Sequence, residues 1–327
     1  MRKPPARPAD DACGGTLGLR TLPDAQDEGM PQAYHFNGLK LESDFHLPAL
    51  APWDGPPHAR SDIVVRQAAV PLRLDCPDHI GPIFQTKGTT EYLLALPGTG
   101  RILVRNGDEV LVDAEPGADP SSILSGPLQA VLWHQRGLLP LHGSVVVVGT
   151  QAIALCGPSA AGKSTLAAVL AGQGHTVVAD DVCVIDPDTA DVLAGCGRLR
   201  LWRDALDRLG IEPRALERAA RDKEKYVFDC GMRAAQARHR LAAVILLSRQ
   251  NGGTVSIERL RGARAASALH GAVHMRRPAD ALARGSDIFA ALTQLVSAGL
   301  TVWRLKVPDG VTALHEAATL ALGVLEA

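Results

Sequence analysis

The chain lacks an apolar run long enough to cross a bilayer, although 46% of its 327 residues are hydrophobic. It also lacks a surplus of charge. Lys and Arg number 34 and Asp and Glu 35, a formal net charge of −1. That balance argues against nucleic-acid and membrane-surface partners, which call for a basic face. The six cysteines include no C-x-x-C pair. Cys156 and Cys183 lie inside apolar runs, so the set reads as reduced, mostly buried thiols rather than a disulfide or zinc framework. The first thirty residues hold Pro, Gly, Asp and Arg without an apolar segment, which argues against a signal peptide. Residues 1–31 are expected to be a disordered leader, or an over-called start with Met30 as the initiator. There is no internal repeat. The expectation is a soluble, cytoplasmic protein with a large core, divided into a β-rich domain over 32–118 and a second domain over 119–327.

What the chain does have is Gly157-Pro158-Ser159-Ala160-Ala161-Gly162-Lys163-Ser164-Thr165. This matches G-x-x-x-x-G-K-S/T, a phosphate-binding loop, at every fixed position. Ala152 to Cys156 before it reads as a buried strand. Leu166 to Ala171 after it is rich in helix formers. Strand, glycine-rich turn and helix is the arrangement the chemistry requires, because backbone N–H groups of the loop and helix start converge on one anion. Lys163 adds a point charge for the outer phosphates, and the Ser164 hydroxyl suits Mg²⁺. ATP and Mg²⁺ are the implied cofactors.

The surrounding pattern is α/β. The stretch from about 32 to 115 predicts a strand-rich meander, with hairpin turns at Pro97–Gly100 and Asn106–Asp108. Ser121 to Gln135 predicts one helix, capped by Asp119-Pro120 and ended by Gly137. Leu141 to Val148 is a strand, turned by Gly149-Thr150-Gln151 into the strand that feeds the loop. Counting back through that hairpin sets His142 opposite Gly157 or Pro158. Thr176 to Ala179 is a strand that returns from the loop's helix, parallel to the feeding strand, and delivers Asp180-Asp181 to the same edge. Leu199 to Trp202 is a short strand and Asp204 to Gly210 a helix. Leu241–Leu247 and Thr254–Leu260 are expected to pair antiparallel. Ser286–Ala298 and Val311–Leu325 are helices around a strand over Leu300–Val307.

Adjacent carboxylates facing such a loop suggest two tasks. One completes a Mg²⁺ site and the other takes a proton from an attacking hydroxyl. The bland alternative is a polar turn. His142 is either a partner that orients Asp180 or a core histidine bonded to backbone. The mixed charge run Arg221–Lys225 is a solvated loop or a source of one more contact to a phosphate or to the acceptor. His274, Arg276 and Arg277 are weaker candidates for the same contact.

Taken together, His142-Gly143, the loop Gly157–Thr165 and Ala179-Asp180-Asp181-Val182 resemble the HPr kinase/phosphorylase family over about residues 130 to 320. The resemblance implies a P-loop-containing catalytic domain related to phosphoenolpyruvate carboxykinase, with a smaller strand-rich N-terminal domain. By that analogy Asp180 is the base with His142 beside it, Lys163 binds phosphate, and Ser164 and Asp181 serve the metal. The opening Tyr34-x-x-x-Gly38-Leu39-x-x-x-Ser43-x-x-x-Leu47-Pro48, and Leu199-Arg200-Leu201-Trp202, look like the divergent HPr-kinase-related proteins. Some of those phosphorylate a serine of a lasso-peptide precursor. The glycine-rich C-terminal signature used for phosphorolysis is not found, so the kinase direction is favoured. The expected activity is ATP-dependent transfer to a serine of a small protein or peptide, with homo-oligomerisation possible. A nucleotide-binding regulator without phosphotransfer and a small-molecule hydroxyl kinase remain as alternatives.

Overall fold

The structure is a computed structural model that describes residues 31–124, 126–195, 197–213, 216–218, 224–230 and 238–326. The expected leader up to residue 30, and Arg221-Asp222-Lys223 of the charge run, lie outside the described residues. The described chain is mixed α/β, with three sheets.

The first sheet holds β1 (Gln32–Phe36), β2 (Leu39–Ser43), β3 (Ala51–Pro52), β4 (Ile63–Gln67), β5 (His79–Ile80), β6 (Phe84–Lys87), β7 (Glu91–Leu96), β8 (Gly100–Arg105) and β9 (Glu109–Ala114). Its order is β3-β1-β2-β4-β9-β8-β7-β6-β5. The predicted hairpins are present, but the expected meander covers only β5 to β9. β4 inserts between β2 and β9 and runs parallel to both. Strand propensity read in sequence order carries no signal for that insertion.

The predicted helix over 121–135 is two helices, α1 (Ser121–Leu124) and α2 (Pro127–Gln135). Gly126-Pro127 divides them, since proline supplies no N–H and favours a first helical position. Asp119 Oδ1 accepts from the Ser121 amide at 2.9 Å, as its capping role requires. Leu128, Val131, Leu132 and Trp133 of α2 pack on Tyr34, Phe36, Ile63 and Val104 of the first sheet. The rings of Phe36 and Trp133 stack at 4.9 Å.

The second sheet carries the glycine-rich loop. β10 (Leu139–Val148) pairs antiparallel with β11 (Gln151–Cys156), and Val148 faces Gln151. The loop follows, then α3 (Lys163–Gly172), β12 (Thr176–Ala179), β13 (Val182–Asp186) and β14 (Asp191–Leu193). β12 and β13 both lie antiparallel to β10, on the edge away from β11. β12 therefore runs in the direction of β11, as expected, with β10 between them. The third sheet is β15 (Arg198–Trp202), β16 (Glu217–Arg218) and β17 (Lys225–Asp229), with α4 (Arg203–Leu209) after β15.

β18 (Arg238–Gln250) is the longest strand and runs parallel to β11. β19 (Ser256–Leu260), α5 (Gly262–Gly271), α6 (Arg276–Ala281), α7 (Gly285–Ser297), β20 (Thr301–Pro308) and α8 (Val311–Gly323) complete the chain. The expected pairing of β18 with β19 does not occur. β20 lies between them, parallel to β18 and antiparallel to β19. The partner nearer in sequence gives way to one from the chain's end, which pairs with β18 over eight residues, Ala243–Gln250.

Alternation along the strands sorts the second sheet's two cores. Val145, Val147, Ala152 and Ala154 face α5 and α7, meeting Leu269, Ile288 and Leu292. Val146, Ile153 and Leu155 face α3 and α8, meeting Leu166, Leu170 and Leu314. The loop thus leaves a strand fixed on both sides.

Gly157 is where β11 ends against β18. Its φ is +143°, and an added Cβ would lie 2.5 Å from the Leu247 carbonyl oxygen. Gly157→Ala is expected to lower the unfolding free energy by about 2 kcal/mol or more, through backbone strain and overlap. Urea denaturation checks this, and an unchanged midpoint would contradict so close an approach.

Candidate active site

The hairpin places His142 where counting put it. Gly143 pairs with Cys156, so His142 stands opposite Gly157. On its other edge His142 pairs with Val182. The register that joins Val145 to Ala179 and His142 to Val182 carries Ser144 opposite Asp180. His142 and Ser144 share a face of β10, being two residues apart.

Neighbouring residues of a regular strand point to opposite faces. Asp180 and Asp181 escape this because Asp181 is left-handed, at φ +71°. Aspartate tolerates that conformation better than most side chains. Both carboxylates line one cavity of about 270 Å³ with His142, Lys163, Ser164 and Arg200.

Their environments differ. Asp180 Oδ1 accepts from the Ser164 hydroxyl at 2.8 Å and the Ser144 hydroxyl at 2.6 Å. Its Oδ2 accepts from the Arg200 backbone N–H at 2.7 Å. Asp181 faces two basic groups instead: His142 Nδ1 at 3.6 Å from Oδ1 and Arg200 Nη1 at 3.6 Å from Oδ2. Its side chain is 34% exposed and, among the described residues, accepts no closer hydrogen bond. Asp180 is held, and Asp181 is open.

Lys163 opens α3 and is 7% exposed. Its Nζ donates to the carbonyls of Gly157 at 3.0 Å and Pro158 at 2.9 Å. Burial lowers its pKa from the ordinary lysine value, while Cys156, Asp180 and Asp181 act in the opposite direction. The Cys156 thiol beneath it is pushed up to about 12 by burial and stays neutral. Left-handed Ala160 (φ +63°) and Gly162 (φ +98°) shape the loop between Gly157 and the helix.

His142 Nδ1–H donates to the Asp181 carbonyl at 3.0 Å, which leaves the Nε2 lone pair free in the neutral ring. The His142 and His274 rings stack with centroids 5.4 Å apart. Burial lowers the pKa of both, with Lys163 adding to the effect at His142 and His142 adding to it at His274. Residues 272–274 reach the site by lying along β10. The His142 amide donates to the Ala272 carbonyl at 2.9 Å and the His274 amide to the Pro140 carbonyl at 2.8 Å. Behind them, His134 Nε2–H donates to the His274 carbonyl at 2.9 Å. His134 is fully buried and its Nδ1 has no partner among the described residues, so burial holds its pKa down to about 4.

The sequence-predicted residues His142, Lys163, Ser164, Asp180, Asp181 and, through its ring, His274 come together. Arg276 and Arg277 do not. They line a different cavity, on the first sheet's side of α6. Ser144 was missed, although its spacing from His142 in a strand was a usable signal. Lys225, from the charge run that the sequence offered as a further contact, lines the site cavity, and Arg200 and Arg249, which it did not offer, line it too. Arg200 and Lys225 arrive on β15 and β17 of the third sheet, a pairing that leaves no local trace.

No protein-family model matches the chain, and no curated protein matches it. Among solved structures, the chain is similar to the Hpr(Ser) kinase/phosphatase from Coxiella burnetii, at 13% identity and a TM-score of 0.28. That match covers 57% of this chain and 97% of the other. Likeness at that level decides neither activity nor substrate. Among the described residues, no helix is long and apolar enough to cross a membrane, and no group of three or more His, Cys, Asp or Glu forms a metal cluster.

The histidines generate a pH dependence. A histidine with a depressed folded pKa binds its proton more readily when unfolded. Its stability contribution is complete above the unfolded value of 6.5 and is lost as pH falls toward the folded value, about 4 for His134. The gap corresponds to about 3 kcal/mol. His134→Gln keeps a donor for the His274 carbonyl and removes the titration. Denaturation curves across that pH range should show a shallower acid loss in the variant; an equal loss would remove His134 from the account.

Proposed function

We propose that the chain is an ATP-dependent phosphotransferase of the HPr-kinase-like kind, with residues 119–327 as its P-loop catalytic domain and 32–118 as a smaller β-rich domain. The acceptor is a serine hydroxyl of a small protein or peptide. The observation that carries this reading is the division of labour between two adjacent carboxylates beside a G-x-x-x-x-G-K-S/T loop. One is hydrogen-bonded to the loop's own serine, and the other is open and flanked by a neutral histidine and an arginine.

The residues fit Mg²⁺·ATP. Magnesium takes one or two protein oxygens and fills the rest of its shell with phosphate and water, so it needs no carboxylate cluster. Ser164 Oγ and Asp180 would hold it. When bound, it neutralises charge on the transferring phosphate. The loop amides and Lys163 would bind the phosphates, with Lys163 leaving the Gly157 and Pro158 carbonyls to do so.

This assignment exchanges the two aspartates relative to the family resemblance, which makes Asp180 the base and Asp181 the metal partner. Asp180 is tied to Ser164, the other metal-holding residue, and to Ser144 and the Arg200 amide, whereas Asp181 is open to an acceptor hydroxyl. We assign Asp181 as the base. In the transfer, the acceptor oxygen forms a bond to the γ-phosphorus as the bridging P–O bond to the β-phosphate breaks. The hydroxyl proton passes to the Asp181 carboxylate, and ADP leaves. Arg200 and His142 position that carboxylate. Catalysis is mainly positioning and charge neutralisation.

Lys163→Ala is expected to abolish transfer of labelled phosphate from ATP; full activity in that variant would sink the kinase reading. Asp181→Asn should keep Mg²⁺-dependent nucleotide binding and lose transfer by roughly 10²–10⁴-fold, the usual worth of a general base. Asp180→Asn should weaken nucleotide binding chiefly when Mg²⁺ is present. If instead Asp180→Asn binds Mg²⁺·ATP normally while losing transfer, the resemblance's assignment is the right one.

A further inference from the structure

A second cavity, of about 1020 Å³, lies apart from the candidate active site. It lies between β5–β7 of the first sheet, α2 and the segment 271–281. Ile83, Phe84, Leu94, Leu128, Val273 and Met275 form its walls. The aromatic wall is continuous, with His79 stacked on Phe84 and Phe84 on Tyr92, both at 5.3 Å. Thr86 Oγ1 donates to the Ala281 carbonyl at 2.7 Å, which ties the sheet wall to the helix wall. The groove is therefore preformed, and its volume is at the upper end of the ~300–1,000 Å³ typical of ligand sites.

Three observations point to what it takes. Ile83 of the lining is 45% exposed, an apolar exposure that a solvated groove does not need. Arg276 and Arg277 line the groove, are exposed, and make no ion pair among the described residues. Asp280 is also on the lining and leaves the arginines in excess. β5, which carries His79 of the lining, is the terminal strand of the sheet, and an extended chain can add to such an edge. The groove also shares a segment with the reaction site. Val273 and Met275 face the groove, while His274 between them stacks on His142.

We propose that this groove binds an extended segment of the acceptor polypeptide, one that carries apolar side chains and at least one carboxylate. The apolar side chains fill the space between Phe84 and Met275, and the carboxylate pairs with Arg276 or Arg277. Calling this peptide the acceptor rests on the phosphotransferase reading; the binding itself does not.

The test uses the full chain and a short fluorescent peptide of leucine and glutamate, with a leucine–lysine peptide and dodecanoate for comparison. The acidic peptide should bind saturably, about tenfold or more tighter than the basic one. Arg276→Glu with Arg277→Glu should remove that preference, and Ile83→Asp should weaken binding about tenfold. A fluorescent ATP analogue should bind these variants as it binds the native chain. Should a variant also lose the analogue, it has lost its fold, and amide exchange on the native chain decides: peptide must protect residues 79–84 and 271–281. Protection elsewhere, equal binding of both peptides, or an unchanged preference in the folded double variant overturns the proposal. Binding of dodecanoate without either peptide overturns it too, in favour of a small amphiphile. Loss of peptide binding with Lys163→Ala still inactive would leave the kinase reading intact, whereas peptide binding without any transfer from ATP would remove only the kinase reading.

Discussion

The carboxylate of Asp180 joins three segments that have no local reason to meet. It accepts from Ser144 on β10, from Ser164 on α3 and from the backbone of Arg200 on β15. Hydrogen bonds to an ionised acceptor are shorter and stronger than neutral ones, and a partly buried carboxylate needs them to offset lost hydration. The start of the loop's helix, the second sheet and the third sheet are therefore tied together by one side chain. The left-handed turn at Asp181 follows from it: with Asp180 fixed inward, only a reversal of backbone hand returns the next carboxylate to the same cavity.

Charge around the loop is arranged in layers. Beneath is the neutral thiol of Cys156, then the buried ammonium of Lys163, then two carboxylates, then Arg200. Lys163 spends its hydrogen bonds on two backbone carbonyls of its own loop, so it is desolvated but not orphaned. The neighbouring histidines are kept neutral by burial rather than by charge alone. The neutral imidazole beside Asp181 keeps the lone pair of its Nε2 available, because its Nδ1–H is committed to the Asp181 carbonyl.

Much of the site was legible in the sequence. The loop declared itself by spacing, and its strand and helix by period. His142 was placed correctly opposite Gly157 because a tight hairpin makes register a matter of counting. Elements failed where partners were distant. The helix over 121–135 broke at Gly126-Pro127, β4 inserted into a meander, and β20 took the place of the near hairpin partner of β18. Those outcomes depend on which apolar faces find each other, and a local pattern does not encode that choice.

The sequence by itself determined that a glycine-rich G-x-x-x-x-G-K-S/T turn joins a strand to a helix, and that a histidine and two carboxylates reach its edge, because each follows from short-range geometry along continuous chain. The tertiary structure decided which carboxylate is held and which is open, since that depends on Ser144 and on a backbone amide from the third sheet. It decided that His274 belongs to the site while Arg276 and Arg277 line a separate groove. Alternation along an extended segment separates neighbours onto two faces, and only packing says what each face meets.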